Sequence, residues 1–124
     1  MFEKFNINPK GRKTGDCTTR AIATAAGITW KEALRMQYET ALYSGYSVGS
    51  TENTDRVLQQ LAFIPCKVAP ARGEKRPTVH ELAERHNKNA LVISVAGHLT
   101  CAIDGTYFDL WDCGNKSVYK FWIK

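Results

Sequence analysis

The chain has 124 residues, 44% hydrophobic and 23% charged, the size and balance of one domain around one core. Its longest apolar run, residues 90–96 interrupted by Ser94, is far too short to span a bilayer, and the first residues contain no apolar signal core. No membrane association is expected, and a cytoplasmic setting with reduced thiols is. The net charge is +5. Such a balance favours an acidic or nucleic-acid partner, but the basic residues are scattered from Lys10, Arg12 and Lys13 to Lys120 and Lys124, as on a solvated surface.

In chain order, residues 1–15 read as an irregular arm broken by Pro9, Gly11 and Gly15. Asp16 is an N-cap candidate for a helix over 17–26, with Gly27 suited to its C′ position. Thr29 and Glu32 form a capping box that opens a second helix to about residue 42. Residues 44–54, rich in Gly, Ser and Thr, read as a loop before a third helix over 55–62. Residues 65–76 read as extended, then irregular. A second capping box, Thr78 with Glu81, opens a helix to about residue 86.

After Asn89 the texture changes to β-branched and alternating residues. Strands are expected at 90–96, 98–103, 106–112 and 117–123, with Asp104-Gly105 as a hairpin turn. Helices over 16–88 followed by an antiparallel sheet over 89–124 indicate a single α+β domain.

Cys17 opens the first helix, where free backbone N–H groups and the helix dipole favour a thiolate. His98 opens a strand just after Gly97, and the hairpin returns an acid to its side. With a three-residue loop, Asp112 stands directly opposite His98. With a two-residue loop, Asp109 and Trp111 share the His98 face instead. Either acid would orient the imidazole as the third member of a triad does.

Gly15-Asp16-Cys17 at a helix start, Gly97-His98 at a strand start and Asp112 at the end of the next strand resemble the papain-like cysteine peptidases, closest to the branch that cleaves double-glycine leader peptides. Residues 8–11, 15–22 and 107–112 also resemble a group of small, largely uncharacterised proteins from bacteria and their phages. The peptidase resemblance implies a papain-like fold, with Cys17 as nucleophile, His98 as base and Asp112 as acid (Asp109 as the alternative). It implies a thiol-dependent hydrolase or acyl transferase acting on a peptide, isopeptide or glutamine amide, with no cofactor. The chain departs from those peptidases at Gly11, where they carry an oxyanion-hole Gln. Asn8 or Asn6 is the substitute donor beside the Cys17 N–H, with Thr14 and Lys13 as weaker ones.

A second reading is a non-enzymatic binding module on the same fold, such as a phage or mobile-element protein that engages a host protein. A basic nucleic-acid binder ranks last, because the chain has neither an aromatic-basic RNA motif nor a recognition helix. No metal is expected: Cys66, Cys101 and Cys113 with a His match no common zinc spacing. Cys101 and Cys113 read as packing residues, His80 and His86 as solvated, and Trp30, Trp111 and Trp122 as core or groove walls.

Overall fold

The computed structural model describes all of residues 1–124. Local chemistry accounts for the helices. α1 (Cys17–Ala26) ends where Gly27 takes the left-handed conformation and its N–H returns to the Ala23 and Thr24 carbonyls. α2 (Trp30–Ser44) and α4 (Val79–Arg85) each begin with a complete capping box, Thr29 with Glu32 and Thr78 with Glu81. α3 (Thr51–Gln60) starts earlier than the sequence suggests, because the Ser50 side chain accepts from the Asn53 N–H. At α1 the expected cap is absent. Asp16 makes no side-chain capping bond, because its carboxylate is engaged elsewhere.

Six strands form one mixed sheet in the order β1-β5-β4-β3-β6-β2. They are β1 (Phe2–Lys4), β2 (Ile64–Lys67), β3 (Ala90–Val95), β4 (His98–Ile103), β5 (Thr106–Asp109) and β6 (Lys120–Ile123). The sheet is therefore not confined to the C-terminal part, nor wholly antiparallel. The supposedly irregular arm begins with β1, which pairs parallel to β5, and β2 closes the opposite edge against β6. Neither short edge strand is a long alternating run, so periodicity gave little sign of them.

The sheet is covered on both faces. On one, α1, α2 and α3 bury Ile22, Ala33, Val57 and Leu58 with Val92, Cys101 and Trp122. On the other, α4 buries Val79, Leu82 and Ala83 with Leu91, Ile93, Val95 and Ala102. Burial on both sides explains why β3 reads as a continuous apolar run rather than an alternating one. Each fully buried Leu, Ile or Val contributes about 1.5–3 kcal/mol relative to exposure. The result is an α+β architecture, and no helix is long and apolar enough to cross a membrane.

Two of these layers fix the position of the site. α1 packs against β4, so its N-terminus lies at the end of the sheet where β4 begins. The β4–β5 hairpin fixes what returns there. Asp104 and Gly105 have φ of 50° and 86°, the paired positive values of a two-residue turn whose twist matches the strands. Ile103 then pairs with Thr106, Ala102 with Tyr107 and Cys101 with Phe108. That register sets Thr100 opposite Asp109 and leaves Asp109 diagonal to His98.

Candidate active site

Cys17, His98 and Asp109 meet at the junction of the α1 N-terminus with the start of β4 and the end of β5. The His98 Nε2 lies 2.6 Å from Asp109 Oδ2. Asp109 ionises readily, so its carboxylate accepts and the ring nitrogen donates. His98 is the chief cause of a lowered Cys17 pKa, which puts the imidazole in the neighbourhood of the thiol. With Nε2 taken by Asp109, Nδ1 is the ring nitrogen left free for the thiol.

Asp112 is not part of it. The two-residue turn carries Asp112 past His98. Its Oδ1 accepts from the Tyr107 hydroxyl and from the Gly114 N–H, both at 2.9 Å. Gly114 has no room for a side chain there, since a Cβ would collide with the Tyr107 hydroxyl. Asp112 thus closes a local turn, and the acid beside His98 is Asp109.

The electrostatics follow from the contacts. The His98 bond lowers the Cys17 pKa to about 7; burial opposes it, and the Leu99 backbone N–H and the Thr18 side chain add to it. Asp109, and then Cys17, raise His98 to about 9 against its burial. Burial would raise the Asp109 pKa, but bonds from His98, the Leu110 N–H and Thr100 outweigh it, and the net shift is downward. Between about pH 7 and 9 the pair is therefore a thiolate and an imidazolium. Cys101 and Cys113 differ sharply: burial pushes them up to about 12 and about 11, so both remain neutral thiols.

Solvent reaches the group from one side. The side chains of His98 and Asp109 are 13% and 1% exposed, and Cys17 is half-buried. The Trp111 ring, its centroid 5.1 Å from that of His98, forms an outer wall. Trp122 is core, and Trp30 is turned by its indole N–H to Asp16, 2.9 Å away.

The proposed oxyanion donors lie differently from the sequence expectation. The Asn8 amide is buried and donates to Asp16 Oδ2 at 3.1 Å, and the Asn6 amide donates to the Arg12 carbonyl at 3.1 Å. Both side chains brace the arm. Unlike those two amides, the backbone N–H of Cys17, at a helix start without a side-chain cap, is not committed elsewhere.

Arg20 is the site residue that motif reading passed over. It is 9% exposed. Its Nε lies 2.8 Å from Asp16 Oδ1 and its Nη1 3.2 Å from Asp109 Oδ1. The signal available in the sequence was its i, i+4 spacing from Asp16. Cys113 adds a weak bond, its sulfur 3.7 Å from Asp109 Oδ2.

His98, Asp109 and Cys113 offer three donor atoms within 4.8 Å of one another. Their spacing does not suit an ion. Ligands about 2.0–2.3 Å from a tetrahedral metal stand about 3.3 Å or more apart, whereas Nε2 and Oδ2 are in direct hydrogen-bond contact at 2.6 Å. Arg20 already supplies Asp109 with a cation, and Cys113 holds its proton.

Compared with protein-family models, curated proteins and solved structures, the chain has no significant match.

Proposed function

We propose that this chain is a papain-like cysteine hydrolase or acyl transferase that attacks a peptide, isopeptide or glutamine amide through a thioester. The observation carrying the proposal is the His98–Asp109 bond at 2.6 Å at the start of β4, with the Cys17 pKa lowered to about 7 chiefly by His98 and that of His98 raised to about 9. A nucleophile on the first residue of α1, followed by a base on the first residue of β4, accords with the motif resemblance.

In this reading the Cys17 thiolate attacks the carbonyl carbon, and the C–S bond forms. The His98 imidazolium gives its Nδ1 proton to the leaving nitrogen as the C–N bond breaks. His98, now neutral, takes a proton from water (or from an acceptor amine) as that nucleophile releases the thioester. Asp109 holds the ring orientation and balances the imidazolium charge throughout. The Cys17 N–H donates to the oxyanion.

A second reading, a non-catalytic binding module on the same fold, draws on the oxyanion side. Gly11 replaces the family Gln, and the Asn8 amide is committed to Asp16. The two readings separate by mass spectrometry after treatment with a peptidyl electrophile. One adduct on Cys17, lost in His98→Ala at pH 7, supports the enzyme. Equal labelling of Cys17 and Cys66 would leave the binding module.

A further inference from the structure

We infer that Arg20 is a positioning residue of this site: its guanidinium fork, locked by Asp16, holds the Asp109 carboxylate in the orientation that presents Oδ2 to His98. The inference rests on the proposed reading of Cys17, His98 and Asp109 as a thiol catalyst, and extends it to a residue that touches neither thiol nor imidazole.

Asp109 divides its two oxygens. Oδ2 faces His98 at 2.6 Å, and Oδ1 takes Arg20 Nη1 at 3.2 Å and the Leu110 N–H at 2.7 Å. A carboxylate with a cation on each oxygen cannot rotate without breaking one of the two contacts. Arg20 is itself fixed, because its other arm, Nε, is bound to Asp16 Oδ1 at 2.8 Å. Asp16 is fixed in turn by the Asn8 amide at 3.1 Å and the Trp30 indole at 2.9 Å, both on Oδ2. The N-terminal arm and α2 therefore bear on the acid through one buried fork. This also gives a reason for the missing cap at α1: the Asp16 carboxylate serves the latch instead of the helix N–H groups.

An arginine suits this task because its planar fork can bind two carboxylates through separate nitrogens, whereas a lysine ammonium acts as one point charge. A charge role and a positioning role predict opposite movements of His98. Arg20 is a cation close to Asp109, so if it acted by charge alone its removal would make the surroundings more negative and raise the His98 pKa. If it positions Asp109, its removal frees the carboxylate, the His98–Asp109 bond weakens, and the His98 pKa falls. The other ionisable groups facing Asp109 and His98 are Cys17, Cys101 and Cys113, and burial holds the last two neutral.

The test follows His98 by NMR titration and Cys17 by iodoacetamide alkylation across pH, in the full chain and in Arg20→Gln and Arg20→Lys. The expected result is a fall of the His98 inflection from about 9 and a rise of the Cys17 inflection from about 7. Alkylation at pH 7 should drop about fivefold for a one-unit rise, as the thiolate fraction falls from about one half to about one tenth. Arg20→Lys, which keeps the charge, should restore neither inflection. A folded Arg20→Gln protein with unmoved inflections, or with a raised His98, overturns the inference, as does full recovery in Arg20→Lys. Should Arg20→Gln fail to fold, Trp30→Phe removes one bond to Asp16 at no change of charge. It should shift both inflections in the same directions by a smaller amount, and no shift would equally overturn the latch. Failure of the catalytic reading looks different: the unaltered protein would show no preferential reaction at Cys17.

Discussion

Asp109 stands diagonal to His98 across the β4–β5 pair, and its Oδ2 reaches the imidazole Nε2 at 2.6 Å. Asp112, three residues on, is tied to Tyr107 and Gly114 instead. The ranking of the two acids in mutants follows. Asp109→Asn should lower probe labelling of Cys17 by at least about tenfold at neutral pH, because the amide fixes the wrong tautomer and no longer balances the imidazolium. Asp112→Asn should leave labelling within about twofold while loosening the turn at Gly114. The reverse ranking, measured as initial labelling rates on folded protein, would contradict the observed register.

The pH dependence of Cys17 reactivity is the second expectation. Its pKa is lowered to about 7, so the thiolate fraction falls as pH drops through 7 and is nearly complete by about pH 8. His98→Ala removes the chief cause of the lowering. The alkylation profile should then move up toward the ordinary thiol range, and the rate at pH 7 should fall about tenfold or more. Cys101 and Cys113, raised by burial, should stay unlabelled in the native protein at either pH. A Cys17 profile centred near 9 in the unaltered chain would contradict the thiolate–imidazolium pair.

Much of the fold was legible because local rules and tertiary demands agree. The two capping boxes, Gly27 and the Asp104-Gly105 turn each specify a backbone geometry that packing does not disturb. Cys17 and His98 were legible for the same reason, as the first residues of well-marked elements. The acid was not, because a choice between two- and three-residue loops moves every later side chain to the other face. β1 was missed, and β2 was read only as extended chain from residue 65, because three or four residues carry no period and their pairing with distant strands is a tertiary fact. Asn8 and Asp16 were assigned local roles, donor and cap, yet a buried Arg20 binds Asp16, and the Asn8 amide turns to that same carboxylate. Nothing along the sequence marks that competition beyond the spacing of Asp16 and Arg20.

A third expectation concerns stability away from the site. Asp55 on α3 accepts from Lys120 Nζ at 2.8 and 2.9 Å and from the Trp122 indole at 2.6 Å. Trp122 is 1% exposed, so Asp55→Ala leaves its N–H without a partner. The expected cost is about 1–3 kcal/mol in denaturant unfolding, with the Cys17 alkylation profile unchanged in the folded protein. A loss well below that range would mean that water reaches the indole N–H.

The sheet order has a consequence for synthesis. Both edge strands, β1 and β2, are complete by residue 67, whereas the four inner strands come from the last third. The N-terminal strand has no partner until β5 has been made, and the sulfur on α1 has no base until β4 follows. If Cys17 is the nucleophile proposed, its thiol stays unactivated while the chain emerges. On the proposed reading, it is long-range contacts from α1 to β4 and β5 that arm it. A chain ended at residue 96 should accordingly carry a Cys17 no more reactive than Cys66.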